Sequence, residues 1–124
     1  MRPIKKMRGV NLGSWLVLEK WMVPSLFEGM AATDETTWCA ELGSAATEKL
    51  RAHWDTWITE QDFAWLAARG INTVRIPLGH WIFGADYPYH PKYEPYLHPF
   101  VTGGINVLDR AFDWAEAHNI DIML

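Results

Sequence analysis

The chain has 124 residues, of which 49% are hydrophobic and 21% charged, the balance of a folded globular domain and not of a disordered segment. Lys and Arg number 11 against 15 Asp and Glu, a net charge of −4, which argues against nucleic-acid binding through a basic face. The single Cys39 excludes an intrachain disulfide, and the opening MRPIKKMRGV carries charge without the apolar run of a signal peptide, so neither feature assigns a compartment.

Arg8-Gly9-Val10-Asn11-Leu12 reads as a first strand that runs into Gly13-Ser14. The apolar run Trp15 to Leu18 is too short to span a membrane and is followed at once by Glu19 and Lys20, so no membrane partner is expected. Residues 19–46, broken by Pro24, Gly29 and Gly43, read as a long loop with room for one helical turn. Leu50, Trp54 and Trp57 then recur at helical spacing on one face. A second helix begins at Thr59, where Thr-Glu-Gln-Asp forms a capping box with Asp62 at its end. Phe63, Leu66 and Ala67 make its apolar stripe, and Gly70 stands where a left-handed cap belongs.

Ile71 to Pro77 is short and β-branched, a strand whose proline comes last, where a missing N–H is tolerated. The Pro- and Tyr-rich stretch from Leu78 to Gly104 reads as a long loop. Helix resumes near Ile105, with Leu108, Ala111, Phe112 and Ala115 on one face and Asn119 as its stop. Ile120 to Leu124 is a third strand.

Strands and helices therefore alternate, which implies a parallel sheet covered by helices, an α/β fold. The long connections follow the strands' carboxyl ends and the returns are tight, as in a (β/α)8 TIM barrel whose active site is built from βα loops. A complete barrel needs about 250 residues, so residues 1–124 correspond to the N-terminal portion, about three of eight strands. The terminal apolar strand, left as an unpaired edge, is read as a truncation within the third strand.

Eight Trp is a high count, and aromatic faces suit either a packed core or the C–H faces of a pyranose ring. Glu19, between Trp15 and Trp21 and just past a strand end, is either an acceptor for sugar hydroxyls or a solvated, capping acid. Arg75 sits inside a β-branched strand and is costly to bury unpaired. It either supports an active-site carboxylate or forms a structural salt bridge at the rim. Of the histidines, His53 falls among helical residues and reads as structural, and His80 follows the second strand and is a ligand-contact candidate. His90, His98 and His118 complete the set, which has no metal-ligand spacing, so no metal is expected. No phosphate loop and no GxSxG elbow is present, and no cofactor is expected.

Four stretches, Arg8 to Glu28 (RGVNLGSWLVLEKWMVPSLFE), His53 to Phe63 (HWDTWITEQDF), Gly70 to Trp81 (GINTVRIPLGHW) and Trp114 to Leu124 (WAEAHNIDIML), together resemble glycoside hydrolase family 5, in particular its fungal exo-β-1,3-glucanases. The resemblance implies a (β/α)8 barrel that hydrolyses β-glucan with retention, using two glutamates. The family's acid/base follows its fourth strand in an Asn-Glu pair and its nucleophile follows the seventh; neither motif occurs here, so no catalytic glutamate is assigned in this chain and it is expected to be inactive alone. The family's third strand continues into Asp-Leu-His, just past the position of Leu124. By the same resemblance Arg75 supports the nucleophile, Glu19 binds the terminal glucose, and Trp21 is an aromatic beside it. Lys20-Trp21 stands where the family more often has Pro and an aromatic, and Ser14 replaces a common second Gly. Family members are often secreted or at the cell surface. The expected ligand is a β-glucan or oligosaccharide. The other reading is a carbohydrate-binding or assembly module completed by a separate chain.

Overall fold

The computed structural model describes residues 6–86 and 94–124. Three short strands, β1 (Gly9–Asn11), β2 (Thr73–Arg75) and β3 (Asp121–Met123), form a parallel sheet in the order β1-β2-β3. Val10, Val74 and Ile122 are register partners in one row, and Asn11, Arg75 and Met123 in the next. All three strands thus end in the same row, as the alternation of elements predicts for βα units.

Among the described residues five helices accompany the sheet: α1 (Glu35–Leu42), α2 (Ala46–Trp57), α3 (Glu60–Ala68), the single turn α4 (Glu94–Leu97) and α5 (Gly104–Ala117). Short 3₁₀ segments occupy Pro24–Phe27, Gly43–Ala45 and His80–Asp86. The predicted box at Thr59 is present: the Thr59 N–H donates to the Asp62 carboxylate at 2.8 Å. Gly70 ends α3 with a φ of +80°, and Asn119 ends α5 with a φ of +54°, the left-handed conformation that glycine and asparagine tolerate best.

The long loop expected over residues 19–46 is corrected by α1, a two-turn helix. Asp34 caps it by accepting from the Thr37 N–H at 2.8 Å. The sequence hides this helix because its buried positions are Glu35, Trp38 and Cys39, so a charged residue occupies part of the inward stripe. The stretch from 78 to 104 likewise contains a 3₁₀ segment and α4. Within the sequence's candidate set, His90 lies outside the described residues.

The core gathers on the side of the sheet that the helices cover. Val74 and Ile76 are fully buried, with Leu50 from α2 and Phe63 from α3, and α5 packs along β3. Trp15 stacks on Trp114 at 6.3 Å between ring centroids, and Phe63 meets Trp114 edge-on at 5.8 Å. Burying such rings contributes roughly 1.5–3 kcal/mol each. Among the described residues no helix is long and apolar enough to cross a membrane.

Candidate active site

The segment after β1 carries Glu19, and its conformation is fixed from below by α2. The Trp57 indole N–H donates to the Gly13 carbonyl at 2.9 Å, His53 Nε2 lies 2.6 Å from the Ser14 carbonyl, and the Trp15 indole N–H donates to the Trp54 carbonyl at 2.8 Å. A carbonyl only accepts, so His53 carries its proton on Nε2. Burial holds the His53 pKa below its usual value, and the Ser14 contact opposes that shift. The contacts of His53, to the Ser14 carbonyl and the Trp57 ring, are structural, as its place among helical residues suggests.

Trp15 is wholly buried in the core, where its ring packs instead of facing solvent. Trp21 is the aromatic in contact with Glu19. It is 78% exposed, and its indole N–H donates to Glu19 Oε2 at 3.0 Å. Glu19 Oε1 lies over Gly13, where a Cβ would come within 3.3 Å of it and within 2.9 Å of Met22 Sδ. A side chain at position 13 would therefore displace the ends of the Met22 and Glu19 side chains. Oε1 makes no hydrogen bond among the described residues and remains able to accept from a ligand.

Arg75 closes β2 in the row of strand ends and is solvent-exposed rather than buried. Its partner is not a carboxylate: Nη1 donates to Asn11 Oδ1 at 3.4 Å, across the register pair Asn11 and Arg75. That long contact leaves most of the guanidinium donors unused, so neither the salt bridge at the rim nor a paired nucleophile occurs among the described residues. Asn11 was not among the residues singled out from the sequence; its signal there is only its place at the end of a strand.

His80 begins the segment after β2 and is exposed. Nε2 lies 2.8 Å from the Tyr96 carbonyl, and the ring stands edge-on to Trp81 and Phe100 at 5.2 and 5.3 Å, while those two stack on each other at 3.7 Å. Arg75 and the segments bearing Glu19 and His80 share the carboxyl end of the sheet, yet no hydrogen bond or ion pair among the described residues links the three side chains. Among the described residues no group of three or more His, Cys, Asp or Glu is placed to hold a metal ion. A separate groove of about 620 Å³ is lined by Leu26, Glu28, Lys49, His53 and Trp57 with their neighbours, and includes none of Glu19, Trp21, Arg75 or His80.

The three parallel strands and their helices match about a third of a TIM-barrel glycosidase fold. The chain's backbone superposes on the solved rutinosidase from Aspergillus niger with a TM-score of 0.70 at 30% identity, covering 94% of this chain and 31% of that one. A second solved structure, AoRut, gives 0.73 at 29% identity, with 96% and 32% covered. No family model matches the chain.

More particularly, the chain is homologous to the N-terminal part of glucan 1,3-beta-glucosidases, glycosidases of family 5, as the four sequence stretches indicated. It is 46% identical over 123 residues to the "Probable glucan 1,3-beta-glucosidase A" of Emericella nidulans, and 44% identical over 125 residues to the glucan 1,3-beta-glucosidase of Blumeria graminis. Each match covers 97% of this chain, but only 28% and 27% of the respective relative. The chain thus spans little more than a quarter of the length of the curated relatives it matches.

Proposed function

We propose that these residues form the terminal-glucose-binding part of a retaining β-glucan hydrolase. Glu19 accepts hydroxyls of the non-reducing-end glucose, Trp21 offers its exposed face to the ring, His80 lines the neighbouring wall, and Arg75 supports the nucleophile. The observation that carries the reading is the Glu19–Trp21 pair: one carboxylate oxygen accepts from an exposed indole and the other has no hydrogen-bond partner among the described residues near the end of a parallel sheet. Such an arrangement gives a sugar both a stacking face and an oriented acceptor.

Retaining hydrolysis requires two carboxyl groups about 5–5.5 Å apart, one to attack the anomeric carbon and one to protonate the leaving oxygen. Glu19 and Glu28 are the nearest acids within the first segment, but neither stands in the family's Asn-Glu motif or at its nucleophile strand. These 124 residues alone are therefore expected to show no turnover of laminarin-type β-1,3-glucan. Turnover by a purified preparation free of contaminating glucanase would overturn that expectation.

The roles of the two charged residues separate in a barrel completed by the remaining strands. Arg75→Ala removes the group that keeps the nucleophile ionised and aimed, so kcat should fall by the equivalent of about 2–4 kcal/mol with little change in KM. Glu19→Ala should act chiefly on binding of short β-glucans. If Arg75→Ala left kcat within about twofold of the parent, Arg75 would not support the nucleophile.

The sheet's face opposite the helices supports a second reading, in which the chain is a carbohydrate-binding or assembly module completed by a separate polypeptide. A companion chain that begins with the Asp-Leu-His continuation, and that restores glucanase activity on mixing, would favour it.

A further inference from the structure

We infer that Ser14 is a positioning residue for Glu19. The inference rests on the reading of Glu19 as the glucose acceptor, and it adds how the carboxylate is held and why this chain departs from the family's usual glycine there.

Ser14 has a φ of +60°, a conformation in which a Cβ is strained and which glycine adopts without cost. A serine in that conformation is disfavoured unless its side chain offsets the strain. The side chain is wholly buried, and its hydroxyl makes two contacts with one residue: it accepts from the Glu19 N–H at 3.0 Å and donates to the Glu19 carbonyl at 3.3 Å. The hydroxyl thus closes the loop from Ser14 to Glu19 at both polar groups of the Glu19 backbone.

The clamp has a rigid base. The Ser14 carbonyl is held by His53, and the carbonyl before it by Trp57, both from α2. At the other end the Trp21 indole fixes Glu19 Oε2. A continuous series of hydrogen bonds therefore runs from α2 through the Ser14 backbone and hydroxyl to Glu19 and its carboxylate. Position-fixing groups of this kind act on orientation, which a ligand reads as affinity. With glycine at position 14 the turn would form as readily, but the Glu19 N–H would lose its acceptor.

Ser14→Gly separates this role from a merely tolerated substitution, because strain and positioning predict opposite signs. Relief of the positive φ supports the fold, whereas loss of the hydroxyl loosens Glu19. In the chain itself, Ser14→Gly is expected to leave the melting midpoint within about 3 °C of the parent. It should weaken binding of a β-1,3-linked glucose trisaccharide, followed by calorimetry, by about three- to tenfold, the worth of one or two neutral hydrogen bonds. Hydrogen exchange at the Glu19 amide should quicken by about tenfold, while the Leu12 and Ile76 amides, bonded within the sheet to Arg75 and Met123, hold their rates. Ser14→Ala, which keeps the strain and lacks the hydroxyl, should match Ser14→Gly in affinity and exchange and fall below it in midpoint.

Equal affinity for the parent and Ser14→Gly, with Glu19→Ala clearly weaker, would overturn the positioning role and leave the glucose-binding reading standing. Equal affinity for the parent and Glu19→Ala, or no binding by the parent, would overturn that reading instead. The Glu19 amide then decides separately whether Ser14 holds it, and unchanged exchange in Ser14→Gly would sink the clamp itself.

Discussion

The two faces of the three-stranded sheet obey different rules. On the helix side the row Val10, Val74 and Ile122 packs into a core of Trp15, Phe63 and Leu50, and Val74 has no exposure at all. In the next row, Asn11, Arg75 and Met123 are all exposed, and the one side-chain hydrogen bond between neighbours there is the 3.4 Å contact from Arg75 to Asn11. Residues of the first row are dictated by packing. Those of the second are not needed to hold these elements together, so an arginine at the end of β2 calls for an explanation outside the described fold.

The comparison is broken most sharply on the packed side. Val74→Asp places a carboxylate at a fully buried position in the apolar core, and an unpaired buried charge of this kind costs about 4 kcal/mol or more. Set against a typical domain stability of roughly 5–15 kcal/mol, that is close to loss of the folded state. Circular dichroism of the variant should show no cooperative melt near the parent's midpoint. A variant that melts within a few degrees of the parent would mean that the sheet is not packed as described.

A smaller effect is expected at Glu35, a carboxyl buried without a hydrogen-bond partner among the described residues. Glu35 is 3% exposed, neither carboxyl oxygen has a hydrogen-bond partner among the described residues, and burial pushes its pKa up to about 8. The Leu18 backbone opposes the shift but does not satisfy either oxygen. The unfolded chain releases this proton near the ordinary value of 4.5, so Glu35's contribution to stability is fully present below that pH and is lost as the pH rises toward 8. Glu35→Gln cannot ionise. Its stability should therefore overtake the parent's as the pH rises from 5 to 9, by roughly 2–4 kcal/mol at the upper end. Burial of His53 has the opposite sign, destabilising the fold as the pH falls below 6.5, but parent and variant share it and the difference between them isolates Glu35. Parallel stability curves for the two proteins would show that the carboxyl finds a partner or solvent.

What was legible in the sequence follows the same division. The strands, α2, α3 and α5 declare themselves because their inward residues are apolar at the right period and their ends carry capping signals at Thr59, Gly70 and Asn119. The helix α1 is hidden because Glu35 interrupts that period, and the stacking of Trp15 on Trp114 is hidden because the two are distant in sequence. As candidates, Glu19, Arg75 and His80 were nameable from their places at strand ends, and Trp21 from the resemblance to the family. The Ser14 clamp and the Arg75–Asn11 pair were not, because they depend on a backbone dihedral and on strand register. Local spacing encodes neither.

The smallest expected effect bears on the open face. Arg75→Ala in the chain itself removes one exposed, long hydrogen bond and the surface contact of a flexible side chain, and substitutions of that kind change stability by no more than about 0.5 kcal/mol. A salt bridge at the rim, the other role available to this residue, would require a carboxylate partner, and Arg75 has none among the described residues. Chemical denaturation should therefore give midpoints for parent and Arg75→Ala that coincide within error, with equal slopes. A loss of 1.5 kcal/mol or more, of the order of a charge-assisted hydrogen bond, would mean that the arginine is structural, and the kinetic role proposed for it would lose its footing. Indifference of the fold to Arg75, joined to a large fall of kcat in the completed barrel, is the pair of results that marks a residue kept for chemistry and not for packing.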